Sequence, residues 1–188
     1  GSRNYRYWAL MSHAHEDNFE TTVQKVRELL IDTAQRQLVA DVDVCTFLSG
    51  GLDSSALTAL AAMEFQRSGK GKLNTYSVDY IDNDIYFKAS SFQPNSDAPW
   101  VEKMVKACDT CHHRILIDNI ELAKSLPKAT LARDFPGMAD VDTSLYLFSR
   151  EIKKGATVAL SGECADEVFG GYPWFYREEM INSHAFPW

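Results

Sequence analysis

The first periodic pattern in the chain predicts an amphipathic helix over residues 17–40. Apolar residues recur there at steps of three and four, the spacing of one helix face. The members of this face are Phe19, Val23, Val26, Leu30, Ala34 and Leu38. Asp17 or Asn18 is suited to cap the first turn. The next segment, residues 42–48, is short, β-branched and mostly apolar, which is typical of a buried strand.

Helical and strand-like segments continue to alternate along the chain. Helical composition returns at residues 53–67, 97–110, 119–132 and 143–154. Further strands are expected at residues 73–79, 114–117 and 156–160, and a polar loop at residues 80–96. This alternation predicts an α/β fold with a parallel sheet and helices on both faces. Ligands of such folds bind beyond the carboxyl ends of the strands, so the segments that follow strands are the candidates for function.

Composition narrows the class of protein. The chain has 188 residues, of which 45% are hydrophobic and 24% charged, enough for one domain with a core. Its net charge of −7 disfavours a nucleic-acid surface. We see neither a membrane-spanning apolar stretch nor a secretion signal, and four cysteines are too few for a disulfide scaffold, so we expect a cytoplasmic protein. We interpret residues 1–16 as a tail, with Gly1-Ser2 resembling the remnant of a cleaved tag, and residues 17–188 as the domain.

A polar, glycine-containing segment follows the first predicted strand and opens a helix. Its relevant members are Ser49, Gly50, Gly51, Asp53, Ser54 and Ser55. The glycines allow a sharp turn close to a ligand, and the hydroxyls with the helix N–H groups form a cradle for phosphate. No Gly-Lys-Ser/Thr occurs, which excludes the usual triphosphatase loop. The carboxylate of Asp53 would repel phosphate unless a cation lies between them, so we expect shared Mg²⁺. The alternative is a capped helix start, which requires only one such polar residue.

This segment, SGGLDSS, resembles the PP-loop of the ATP-pyrophosphatases, which cleave ATP between the α and β phosphates. The superfamily includes the asparagine, argininosuccinate, GMP and NAD synthetases, β-lactam synthetase and tRNA-thiolation enzymes. The resemblance implies an adenine nucleotide α-hydrolase-like fold and ATP as the nucleotide.

A second segment, SGECADEVFGGY at residues 161–172, follows the last predicted strand. Its carboxylates are Glu163, Asp166 and Glu167. Because two strand ends meet at one edge of the sheet, Asp166 is placed to hold Mg²⁺ together with Asp53. An acidic surface turn is the alternative interpretation.

The second segment resembles the SGE-x-x-DE-x-FGGY run of asparagine and β-lactam synthetases. That resemblance gives Ser161 and Gly162 backbone contacts to the nucleotide and places Glu163 as a proton acceptor near the transferred amino group. It also places Leu48 and Val78, at the ends of the first two strands, against the adenosine.

Residues 17–60 and 140–176 carry most of the resemblance, which is to the synthetase domain of the glutamine-dependent asparagine synthetase family. The family implies amidation of aspartate to asparagine through an aspartyl-adenylate, with release of AMP and pyrophosphate. The expected partners are ATP, aspartate and ammonia from glutamine; a homodimer stays open. In the family, an N-terminal glutaminase domain supplies the ammonia and a later helical segment supplies a catalytic lysine. Neither is recognisable in this sequence, so we expect a truncated fragment that is inactive alone.

One stretch departs from the family pattern. A Thr-Ile-Arg-Ala-Ser-Thr-like run is replaced by residues 136–144, with Asp140 at the arginine position. The acceptor acid is therefore left open, and a β-lactam synthetase-like adenylating enzyme remains an alternative. A non-catalytic nucleotide-binding domain is a second alternative, although it would need neither Asp53 nor Asp166.

Two further features are expected to be structural. Residues 108–112 match the spacing of haem attachment and contain sulfur and nitrogen ligands suited to zinc, but too few other ligands occur for a metal site. The aromatic residues between 169 and 176 are expected to pack together rather than bind substrate.

Overall fold

A four-stranded parallel sheet in the order β3-β2-β1-β4 organises the chain in a computed structural model, in which residues 1–89 and 95–184 are described. The strands are β1 (Val44–Phe47), β2 (Asn74–Tyr80), β3 (Cys111–Ile117) and β4 (Val158–Leu160). The longer helices are α1 (Phe19–Gln37), α2 (Leu52–Arg67), α4 (Ala98–Cys108), α5 (Asn119–Arg133) and α6 (Ala139–Ile152). The short helices are α3 (Asn83–Tyr86), α7 (Ala165–Phe169) and α8 (Glu178–Ile181), with a 3-10 turn at Pro173–Phe175.

The alternation of side chains along β1 divides the core between the two faces of the sheet. Val44 belongs to a buried cluster that includes Ala61 of α2 and Leu38, the residue just after α1. Its neighbour Cys45 belongs to a second cluster with Phe148 of α6. The predicted α/β fold with helices on both faces is therefore confirmed.

Several boundaries differ from the sequence-based expectation. Strand β3 begins at Cys111 rather than at residue 114, because Cys111 pairs with Asn74 of β2. Helix α6 begins at Ala139, four residues before the predicted start, and β4 starts at Val158, later than predicted. The predicted loop at residues 80–96 contains α3, while its residues 90–94 lie outside the described chain, as do residues 185–188.

Helix α1 is capped by Asn18, whose Oδ1 accepts a hydrogen bond from the Thr21 N–H at 2.8 Å. Its apolar face is buried only near the carboxyl end, at Ala34, with Leu38 just beyond the helix. Phe19 at the other end is 79% exposed. None of the helices in the described ranges is long and apolar enough to cross a bilayer.

Candidate functional site

The loop after β1 is held tightly against both the sheet and α4. The Leu48 N–H donates to the Tyr76 carbonyl at 2.8 Å, and the Leu48 side chain is buried. Gly50 follows with φ +81°, and a Cβ at this position would lie 2.8 Å from the Cβ of Trp100. Both the left-handed backbone and the close approach to α4 require glycine here.

Two serines close this loop. The Ser54 Oγ accepts from the Ser49 N–H at 3.2 Å and lies 2.9 Å from the Ser49 Oγ. Helix α2 then starts with Gly51 at its N-cap, and among the residues that the structure describes no side chain caps its first N–H groups. A capped helix start therefore does not explain the polar cluster, and the first turn of α2, which includes Asp53, offers N–H donors to an anion.

The loop after β4 packs directly against the first loop. A Cβ on Gly162 would lie 3.0 Å from both the Asp53 Cβ and the Ser54 nitrogen. Only a glycine fits between the two segments without displacing one of them. Beyond it, α7 carries Asp166 in its first turn, and the Gly171 N–H donates to the Asp166 carbonyl at 2.8 Å.

A cavity of about 1060 Å³ lies over the carboxyl ends of the strands where these loops meet. Ten of the residues predicted for the site line it, namely Leu48, Ser49, Gly51, Asp53, Ser54, Val78, Ser161, Gly162, Glu163 and Asp166. Gly50 and Ser55 are not among its lining residues. Gly50 instead shapes the loop against α4, and the Ser55 N–H is used within α2, where it donates to the Gly51 carbonyl at 3.1 Å.

Negative charge is concentrated beside the second loop. The charge of Glu167 raises the pKa of Tyr172, and burial and the nearby Asp166 and Glu163 add to this effect. Within the described ranges, no group of three or more acidic, histidine or cysteine side chains is arranged to hold a metal by itself. Asp53 and Asp166 nevertheless suit Mg²⁺, because this ion commonly takes one or two carboxylates and completes its shell with phosphate and water.

The aromatic segment packs as expected in part. The rings of Tyr172 and Trp174 stack with their centroids 4.3 Å apart, and the ring centroids of Phe175 and Trp174 lie 6.2 Å apart. Phe169 and Tyr176 are more than half exposed, at 56% and 59%. Tyr172 also lines the cavity, so its ring belongs to the site as well as to the cluster.

Sequence reasoning missed an ion pair at the carboxyl end of β2. The Arg114 Nη2 donates to the Asp79 Oδ2 at 2.6 Å, and both residues line the cavity. Burial raises the pKa of Asp79, but hydrogen bonds from Arg114, the Tyr80 N–H and Asn83 outweigh it, so the pKa lies below its usual value. The signal in the sequence that could have identified Asp79 was an acidic residue at the end of a predicted strand.

His112 was also missed as a cavity residue. Its Nδ1 lies 2.9 Å from the Thr75 Oγ1 and its Nε2 lies 3.0 Å from the Ser77 Oγ. Burial lowers the pKa of His112, and the neighbouring His113 and Arg114 lower it further. Both ring nitrogens bond to hydroxyl groups, in agreement with a structural role for the Cys-x-x-Cys-His segment.

Helix α6 contributes four residues to the lining of the cavity, namely Val141, Ser144, Leu145 and Phe148. The Tyr80 hydroxyl lies 2.7 Å from the Ser144 Oγ, which ties the end of β2 to this helix. Asp140, at the position where the family has arginine, is exposed and is not among the lining residues. The neighbouring Asp142 forms an ion pair with Arg133.

Comparison with known proteins identifies the family of the chain. The family model described as Asparagine synthase matches residues 25–188. The chain is 56% identical over its full length to asparagine synthetase [glutamine-hydrolyzing] 3 of Bacillus subtilis and covers 30% of that protein. It is 35% identical to asparagine synthetase [glutamine-hydrolyzing] 1 of the same organism over 84% of this chain and 22% of that protein. It is 27% identical to asparagine synthetase B [glutamine-hydrolyzing] of Escherichia coli over 89% of this chain and 32% of that protein. The chain thus spans about a third or less of these relatives, and it belongs to the asparagine synthase family.

Proposed function

We propose that the complete protein is an ATP-dependent ligase that amidates aspartate to asparagine, and that this chain binds the ATP. The observation that carries the proposal is the contact of Gly162 with Asp53 and Ser54, which joins the phosphate-binding loop and the acidic loop in one cavity. The names of the relatives support asparagine as the product.

In the proposed reaction, a β-carboxylate oxygen of aspartate attacks the α-phosphorus of ATP. The bond from that phosphorus to the bridging oxygen breaks, and pyrophosphate leaves with the electron pair. Ammonia then attacks the acyl carbon of the aspartyl-adenylate and loses a proton, and AMP leaves with the carbon–oxygen electrons. Glutamine is the proposed ammonia source, because the relatives are named glutamine-hydrolyzing. The proposed glutaminase domain lies elsewhere in the complete protein, and this chain matches only a part of its relatives.

The described residues divide these tasks by position. The first turn of α2 and the Ser49 and Ser54 hydroxyls bind the phosphates by donating hydrogen bonds. Asp53 and Asp166 would hold Mg²⁺, which supplies positive charge that offsets the phosphates. Glu163 lies on the exposed loop between β4 and α7 and lines the cavity. In this proposal, its carboxylate accepts the proton that ammonia loses.

The test is AMP and asparagine formation by the complete protein with ATP, Mg²⁺, aspartate and ammonium chloride. Glu163→Gln should still bind ATP while amidation falls by about 10²- to 10⁴-fold, because the proton acceptor is lost. Glu167→Gln is the matched control, since Glu167 lies four residues away in α7 and does not line the cavity. It should retain most of the rate.

The other outcomes separate the alternatives. AMP formation that depends on a different carboxylic acid would point to a β-lactam synthetase-like enzyme. ATP binding without AMP formation for any acid would indicate a non-catalytic nucleotide-binding domain. Equal activity of Glu163→Gln and the unchanged protein would contradict the role given to Glu163.

A further inference from the structure

The cavity has an uneven distribution of charge. Its acidic lining residues are Asp53, Asp79, Asp97, Glu102, Glu163 and Asp166. In the described part of the chain, Arg114 is the one Lys or Arg residue that lines it. Residues 90–94 and 185–188 contain neither amino acid. A cavity for an anionic nucleotide thus has a single guanidinium from this chain, and its position indicates which part of the ligand it meets.

The guanidinium of Arg114 is oriented by the carboxylate of Asp79, which is itself fixed by further hydrogen bonds. Asp79 accepts from Arg114 through Oδ2 at 2.6 Å, while its Oδ1 accepts from the Tyr80 N–H and from the Asn83 Nδ2, both at 2.8 Å. The Asp79 side chain is 16% exposed, whereas that of Arg114 is 52% exposed. The pair therefore fixes the direction of the guanidinium and leaves part of it open to the cavity.

The strand order places this pair away from the phosphate end of the site. The phosphate-binding loop follows β1 and the acidic loop follows β4, at the other end of the order β3-β2-β1-β4. Arg114 lies on β3, directly opposite Ser77 of β2. With neighbouring strands about 4.8 Å apart, β3 is about 10 Å from β1 and further from β4. The cavity lining continues from the two loops over β2 and β3, through residues such as Ser77 and Arg114. A nucleotide that has its phosphates over β1 and β4 and extends along this lining would have its nucleoside over β2 and β3.

We propose that Arg114, oriented by Asp79, contacts the nucleoside part of ATP and not its phosphates. This inference rests on the proposed function and assigns Asp79 as a positioning residue. A planar guanidinium stacks on a base and also donates to base or ribose oxygen and nitrogen atoms, which suits it to this contact. The neighbouring Val78, expected to contact adenosine, also lines the cavity.

The test compares the binding of two magnesium complexes, ATP and inorganic tripolyphosphate, by titration calorimetry on the complete protein. Arg114→Met keeps an apolar stem of similar length but removes the guanidinium. It should weaken ATP binding by about 10- to 100-fold, the usual effect of losing a charged hydrogen bond, and leave tripolyphosphate binding unchanged. Asp79→Asn should show the same selectivity with a smaller loss, because Arg114 is then less firmly oriented. Arg150→Met removes an arginine from an exposed ion pair outside the cavity and serves as the control.

The possible results separate this inference from the proposed function. Equal losses for ATP and tripolyphosphate in Arg114→Met would overturn the inference, because the arginine would then act on the phosphates, and so would unchanged ATP binding. Failure of the unchanged protein to bind either ligand would instead refute the nucleotide site and the proposed function with it. If Arg114→Met does not fold by circular dichroism, Arg114→Lys replaces it; lysine keeps the charge without the planar donors, so the ATP-selective loss is still expected.

Discussion

Replacing Gly50 by alanine tests how the phosphate-binding loop is held in place. The backbone of Gly50 has φ +81°, in the left-handed region. The added Cβ would lie 2.8 Å from the Trp100 Cβ, 3.0 Å from the Val101 nitrogen and 3.1 Å from the Asp97 carbonyl oxygen. Two of these three neighbours are backbone atoms, of Val101 in α4 and of Asp97 just before it, so relief requires movement of the helix or the loop.

The expected loss of stability has three parts. A left-handed backbone costs alanine about 1–2 kcal/mol. Forcing an extra methyl group into a packed contact costs about 1–3 kcal/mol. The stiffer unfolded chain of the variant offsets about 0.4–1 kcal/mol of this. The free energy of unfolding should therefore fall by about 3 kcal/mol, within a range of about 1–5 kcal/mol, compared with the about 5–15 kcal/mol typical of a domain.

Two other glycines separate the contributions. Gly69 has φ +69°, but an added Cβ would have no neighbouring atom within 4 Å, so Gly69→Ala should cost only the backbone strain, about 0–1.6 kcal/mol after the offset. Gly51 has an extended backbone, and the nearest atom to an added Cβ would be the Ser49 Oγ at 3.4 Å, close to an ordinary van der Waals contact. Gly51→Ala should therefore change the free energy of unfolding very little. Urea unfolding of the three variants, followed by circular dichroism, gives the comparison.

The order of the three variants decides the outcome. A cost for Gly50→Ala no larger than that for Gly69→Ala would refute the packing of this loop against α4. A cost for Gly51→Ala as large as that for Gly50→Ala would show that the loop resists any side chain, whatever its backbone conformation.

Two further predictions concern buried polar groups. The Thr46 and Thr58 hydroxyls lie 2.9 Å apart, and both residues are fully buried. Thr46→Val should lower the free energy of unfolding, measured in urea, by about 1–3 kcal/mol, because the Thr58 hydroxyl loses its partner. The double variant with Thr58→Val should recover part of that loss. Additive losses would contradict this pairing. Because burial lowers the pKa of His112, its contribution to stability is complete above about pH 6.5 and is lost as the pH falls below that value. Thermal unfolding of His112→Gln should thus depend less on pH in this range than that of the unchanged protein or of the His13→Gln control; three identical profiles would exclude the effect.

Local pattern was enough to predict most elements of the fold. The helical spacing near residues 17–40 and the apolar run at residues 42–48 correspond to α1 and β1, with boundaries shifted by a few residues. The start of β3 was placed too late, because its first residues are polar and are recruited by pairing with β2. The exposed amino-terminal half of α1 shows the same limit, since periodicity defines a face but not what covers it.

The positions of the two loops were also predictable. A strand, a glycine-containing turn and a helix start are recognisable within about ten residues of sequence, and the charge of Asp53 and Asp166 is visible directly. Ten of the predicted residues line one cavity, while their roles toward ATP and Mg²⁺ stay predictions. Gly50 and Ser55 were assigned to the ligand from the motif; they do not line the cavity, Gly50 packs against α4 and the Ser55 N–H donates within α2, and their roles toward a ligand stay predictions as well.

The sequence by itself determined the alternation of strands and helices and the loops that carry phosphate-binding and acidic groups, because these depend on spacing and turn chemistry between near neighbours. Only the tertiary structure decided the strand order, the contact of Gly162 with Asp53, and the meeting of Asp79 with Arg114 over the cavity. These contacts join residues far apart in the chain. They arise from the pairing and register of strands, which the packing of the whole sheet selects.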